Sequence, residues 1–144
     1  MKEEVDRIKM RYMLLVYSLE ADIAYRSVAE RQSLFADYTS VMTEATSRGI
    51  FRAAEPLKPT STATTVRMQD GQRIITDGPF AETKEQLAGY YIVECKDLDE
   101  AIDWAAKIPT ACKGDAGAIE IRPIAEFPQS RSPDSLRTGS ESAN

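Results

Sequence analysis

The sequence predicts an α+β domain, an antiparallel sheet with two main helices on one face. Three observations lead there. Short β-rich runs are joined by turn signals, two longer segments repeat apolar residues at helical spacing, and the order is strand, long helix, several antiparallel strands, helix, strand. A fourth observation concerns LAGYYIVEC (87–95), where Tyr90 and Ile92 alternate with Tyr91 and Val93. Both faces of that strand are therefore apolar. Two helices cover only one face, so the other is expected to meet a second copy of the chain in a two-fold homodimer.

The elements follow in order. RYMLLVY (11–17) is a compact apolar run and reads as a buried strand, ended by a polar break around Ser18 to Asp22. Leu34, Phe35, Tyr38, Val41, Met42 and Ala45 then form one helical stripe, with Asp22 or Ser27 as the candidate cap and Gly49 as the stop. FRAAEPL (51–57), cut by Pro56 and Pro59, suits an edge strand. ATTVRM (63–68) and QRIIT (72–76) flank Gln69-Asp70-Gly71, and Asp-Gly between two β-rich runs signals a hairpin. After LAGYYIVEC, Leu98, Ala101, Ile102, Ala105 and Ile108 make a second helical stripe. Asp97 with Glu100 reads as its capping box, Pro109 marks its stop, and Trp104 is read as packing. GAIEIRP (117–123) is the last strand.

The 144 residues suggest one domain, read as residues 11–127, between a flexible extension (1–10) and a flexible tail (128–144) rich in Ser, Pro and charge. Net charge is −5, which disfavours phosphate backbones, so no nucleic-acid partner is expected. No apolar run is long enough to span a membrane, and MKEEVDRIK is no secretory signal, so a cytoplasmic protein without a membrane partner is expected. Cys95 and Cys112 have no metal-ligand spacing and read as reduced, structural thiols. There is no histidine, which removes Ser-His-Asp and Cys-His arrangements; proton transfer falls to Asp, Glu, Lys, Tyr or Cys. Neither a Walker loop nor a GxGxxG is present, and the sequence calls for no metal and no cofactor.

RYMLLVY, Asp70-Gly71, DGPFAETKEQLAGYYIVE, LDEAIDWAAKIP and IEIRP together resemble the DGPF proteins of the YCII-related group, over roughly residues 11 to 124. The resemblance implies a ferredoxin-like, dimeric α+β barrel in the bacterial cytoplasm. It implies no settled activity: relatives are suspected of chemistry through a His-Asp pair, one acts as a dehydrochlorinase, and DGPF members are often encoded near extracytoplasmic-function sigma factors. Without histidine, only the aspartate side, Asp77, has a counterpart in this chain.

DGPFAETKE (77–85) is thus the place to look. Asp77 is either the cap of its own Asp-Gly-Pro turn or a general base and ligand anchor, with Phe80 filling an apolar pocket beside it. Glu82, Lys84 and Glu85 form either a solvated loop or, with Asp77, a mixed-charge cleft in which Lys84 holds an anion. Arg67, Glu94, Glu120 and Arg122 are charges inside strands; Glu120 and Arg122 share one face while Ile119 and Ile121 take the other. They are either ion pairs that specify strand pairing or a polar ligand pocket in the barrel. Tyr12, Tyr17, Tyr90 and Tyr91 read as core or interface aromatics. Two functions stay open: a small-molecule enzyme of lyase or isomerase type working by carboxylate acid–base chemistry, and a non-catalytic ligand-binding or regulatory module.

Overall fold

A computed structural model describes residues 9–110 and 116–126. The predicted extension (apart from residues 9 and 10), the tail and Cys112 lie outside the described residues. Strands β1 (Met10–Ser18), β2 (Phe51–Pro56), β5 (Gln86–Cys95) and β6 (Ala118–Pro123) form one antiparallel sheet in the order β2-β5-β1-β6. Strands β3 (Thr64–Gln69) and β4 (Gln72–Asp77) form a separate two-stranded hairpin inserted between β2 and β5. The main helices are α2 (Val28–Ser47) and α3 (Leu98–Ala105), with a short α1 (Glu20–Ala24) where the sequence reads only as a polar break. This is the expected α+β, ferredoxin-like arrangement.

Period-two alternation sorts the sheet into two faces. Tyr12, Leu14 and Val16 of β1, with Tyr91, Val93 and Cys95 of β5, are buried on the face that carries Ala45 of α2 and Ala101, Trp104 and Ala105 of α3. Ile119 and Ile121 join them, since they pair directly with Val16 and Leu14. The opposite face carries Met13, Leu15, Tyr17, Tyr90 and Ile92, all half-buried and covered by no helix. Glu120 and Arg122, paired with Leu15 and Met13, lie on this open face as well.

The helices follow their predicted signals with two corrections. Ser27 caps α2 by accepting from the Glu30 N–H (3.1 Å), and Asp97 caps α3 by accepting from the Glu100 N–H (2.9 Å). In α2, however, Phe35 is 74% exposed and does not belong to the buried stripe. At about 100° per residue it falls some 80° from Ala45, on the flank, whereas Leu34, Tyr38 and Val41 stay near the stripe's centre. In α3, Leu98 and Ile102 are half-exposed, and the buried row is Ala101, Trp104, Ala105 and, just past the helix, Ile108. Lys107 then ties the helices together, lying 4.5 Å over the Trp104 ring and 3.0 Å from Glu44, whose carboxyl it holds below the usual range.

Two glycine positions are fixed by geometry. Asp70 (φ 50°) and Gly71 (φ 75°) both take the left-handed region, as a two-residue hairpin turn between Gln69 and Gln72 requires. At Gly89 a Cβ would stand 2.7 Å from the Glu55 carbonyl oxygen, so β2 and β5 approach too closely there for any side chain. Just before it, β5 carries one extra residue, Ala88, opposite the Val16/Tyr17 step, and the Ala88 carbonyl accepts from the Leu57 N–H (2.8 Å). Such a bulge bends the strand and re-aims its start.

Candidate functional site

The start of β5 and the end of β1 lie at one end of the sheet, where the chain segments before β6, after β2 and around residues 77–85 also meet. The contacts that fasten this end come from residues far apart in sequence. Ser18, 1% exposed, donates its hydroxyl to the Thr110 carbonyl. The Glu20 N–H donates to Gln86 Oε1 (3.0 Å), and the Glu20 carboxylate accepts from both the N–H (2.7 Å) and the hydroxyl (2.9 Å) of Thr60. Gln86 Nε2 donates in turn to the Thr83 carbonyl (2.7 Å). Gln86 is therefore a hub, linking the 77–85 loop to the start of α1, and through Glu20 to the segment after β2.

The loop itself is pinned at both ends. At its start the Gly78 N–H donates to the Ala63 carbonyl (2.7 Å), and the Thr65 hydroxyl donates to the Gly78 carbonyl (2.8 Å). At its end the Thr83 hydroxyl donates to the Glu85 carbonyl (2.5 Å), and Glu85 Oε1 accepts from the Gly117 N–H (3.0 Å), which positions the entry to β6. Glu85 is thus committed to a backbone contact. Asp77, Glu82 and Lys84 are exposed, and their charged groups make no hydrogen bond or ion pair with the described residues. In particular, the Asp77 carboxylate does not cap its turn; backbone and Thr65 do that work. Phe80 is 77% exposed and packs into no pocket formed by the described residues.

Of the charged strand residues, Glu94, Glu120 and Arg122 share the open face of the four-stranded sheet, and Arg67 stands apart from them. Arg67 lies in the hairpin, paired across from Ile74. Glu94 is held by Arg52 (Nε to Oε2, 3.0 Å), a partner that sequence reasoning did not name. Glu120 and Arg122 sit on β6, with β1 between them and Glu94. The depressions observed lie elsewhere. One of about 660 Å³ is lined by α2 residues including Phe35, Thr39 and Thr43, and one of about 270 Å³ by Val28, Arg31, Gln32 and Phe35. Neither includes a residue of 77–85. Glu20, Thr60, Gln86 and Ser18 are the site-end residues that sequence reasoning missed. The one local signal was Gln86, a polar residue at the mouth of an apolar strand.

Among the described residues no three His, Cys, Asp or Glu side chains are grouped to hold a metal, and no helix is long and apolar enough to cross a membrane. Cys95 is buried and free, and burial pushes its thiol up to about 12, with Glu100 and Asp97 adding to the shift. Tyr91 is likewise raised to about 12, first by burial and then by Tyr38. Both are core groups of the helix-covered face.

An uncharacterized protein of Rhizobium meliloti is 37% identical over 118 residues, 82% of this chain and 94% of the relative. The YCII-related domain matches residues 10–128, from the first residue of β1 to beyond the end of β6. The chain belongs to the YCII-related domain family.

Proposed function

We propose that this protein is a cytoplasmic, homodimeric small-molecule enzyme of lyase or isomerase type, acting by carboxylate acid–base chemistry at the 77–85 loop. The observation that carries the reading is the state of Asp77: its carboxylate is exposed and is spent on no turn contact, in a loop pinned at both ends. A base must be both available and held in place. In this scheme Asp77 takes a proton from a carbon next to an anion-stabilising group, and Lys84 holds a carboxylate of the substrate. In an isomerisation Asp77 delivers that proton to a second carbon of the substrate, with Glu82 as the second carboxylate beside it; in an elimination Asp77 keeps the proton and the leaving group departs with its electron pair. Glu85, engaged with the Gly117 N–H, supports the loop rather than the chemistry.

One observation favours a second reading, a non-catalytic ligand-binding or regulatory module: two depressions of a single chain run along α2, away from Asp77. A single experiment separates the two. Small carboxylic acids are screened by thermal shift, and each binder is then incubated with the protein in D2O and followed by NMR. The enzyme exchanges a carbon-bound proton of its ligand for deuterium; a module binds without exchange. Asp77→Asn is expected to remove exchange while retaining the fold, Lys84→Met to weaken binding, and the remote Glu30→Gln to do neither. Exchange that survives Asp77→Asn would sink the assignment of the base.

A further inference from the structure

The hairpin β3–β4 has a face that the described residues leave bare. Direct cross-strand partners share a face, so the register places Val66 with Ile75, Met68 with Arg73 and Thr64 with Asp77 on one side. Arg67 with Ile74 and Thr65 with Thr76 take the other. On the first side Val66, Met68 and Ile75 are 57%, 65% and 58% exposed. An isolated two-stranded hairpin is at best marginally stable in water and needs packing on its apolar face. Asp77 lies on that same face.

We propose that the β3–β4 hairpin is an arm that seats on a second copy of the chain through Val66, Met68 and Ile75, so that Asp77 enters a pocket that only two chains together form. The inference rests on the homodimeric site proposed above and adds the surface that builds it. Three arguments select a second copy as the occupant. The first is symmetry. Among the described strands, this arm and the open sheet face of Met13, Leu15, Tyr17, Tyr90 and Ile92 are both apolar and uncovered, and a two-fold axis lets each chain cover the other's. The second is area. Four strands of about six paired residues make a face of ~19 by ~20 Å, about 400 Å² in projection. That falls well short of the roughly 800 Å² per partner of a stable interface. The arm adds about 200 Å² in projection, and side-chain relief brings the two together to that size. The third is charge. The chain carries −5, yet residues 64–77 are neutral, with Arg67 and Arg73 against Asp70 and Asp77, so an acidic second copy does not repel the arm. Both signs also meet both signs, because the open face presents Glu120 and Arg122 at its β6 edge.

The strand supplies its own control. Ile75 and Ile74 are neighbours of the same type on opposite faces of the arm. Sedimentation velocity on the full chain is expected to show a dimer at micromolar concentration. Ile75→Asp should raise its dissociation constant at least about 100-fold, since both arms of a two-fold dimer lose the contact. Ile74→Asp should leave it within a few-fold, and far-UV circular dichroism should show both variants folded. Carbodiimide labelling of Asp77, read by mass spectrometry, should be several-fold slower in the wild-type dimer than in the Ile75→Asp monomer. A dimer that tolerates Ile75→Asp, or that is weakened equally by Ile74→Asp, overturns the arm while leaving the homodimer intact. Equal labelling of Asp77 in dimer and monomer overturns the shared pocket. A monomeric wild-type chain overturns both the arm and the dimeric site it rests on.

Discussion

Two carboxylates of one loop should respond oppositely to removal. Glu85 accepts from the Gly117 N–H at 3.0 Å and is half-buried, so it joins the loop to the entry of β6. A hydrogen bond to a charged acceptor is worth about 1.5–3 kcal/mol net, and partial exposure places this one at the lower end. Glu85→Ala is therefore expected to cost about 1.5 kcal/mol. Glu85→Gln, which keeps an acceptor oxygen, should recover much of that. Asp77 is exposed and its carboxylate makes no hydrogen bond with the described residues, so Asp77→Ala and Asp77→Asn should both stay within about 0.5 kcal/mol of the parent. A turn-capping aspartate would behave differently: its alanine variant would lose about 1 kcal/mol while its asparagine variant would not. Urea unfolding followed by tryptophan fluorescence reads all four variants, since Trp104 is 4% exposed in the native core. Comparison is valid where the midpoint moves at constant slope. If Asp77→Ala costs as much as Glu85→Ala, the carboxylate holds the turn after all, and the case for a free base at position 77 fails.

Other outcomes follow from single contacts. Gly89→Ala should destabilise by about 1–3 kcal/mol in thermal or urea unfolding, because its methyl would stand 2.7 Å from the Glu55 carbonyl oxygen between two paired strands. Ser18→Ala should cost about 1–3 kcal/mol by the same assay, since it strips the Thr110 carbonyl of the donor that a buried hydroxyl supplies. In a Cys112→Ser background, Cys95 should resist a thiol reagent at pH 8 until the protein unfolds, because it is 0% exposed and its thiol is raised to about 12; prompt native labelling would contradict that burial. The same shift gives a pH dependence. The unfolded thiol loses its proton above about pH 9 and the unfolded Tyr91 phenol above about pH 10, while both folded groups keep theirs to about 12. The native state then binds more protons, so stability should fall as pH rises from 9 to 12, by up to ~1.4 kcal/mol per pH unit for each group. Unfolding free energies that stay flat across that window would refute it.

What the sequence made legible was whatever one strand or one helix states by itself. Tyr90-Tyr91-Ile92-Val93 announces two apolar faces, and the structure buries Tyr91 and Val93 while leaving Tyr90 and Ile92 uncovered by helices. Asp70-Gly71 specifies its own turn, because two consecutive left-handed residues admit few alternatives. Phe35 shows the limit of a stripe. Spacing brings it near the apolar row, but its exposure is decided by where the row meets the sheet, and periodicity carries no such information. The site end was less legible for the same reason. Glu20 reads as a loop glutamate, Thr60 as a residue after Pro59, and Gln86 as the start of a strand; their bonds span 40 and 66 residues, and only the packed sheet brings the three together. DGPFAETKE drew attention because its charges are dense, yet density does not say which charge is spent. Glu85 and Asp77 look alike in sequence. The difference between them is the Gly117 N–H, a partner 32 residues away that one carboxylate reaches. A carboxylate oxygen that accepts from a backbone N–H is held in one place, whereas one that is to move protons must reach a ligand. The Gly117 N–H occupies an oxygen of Glu85 and none of Asp77, and that difference is why the proposed acid–base role is put on Asp77 and tested there.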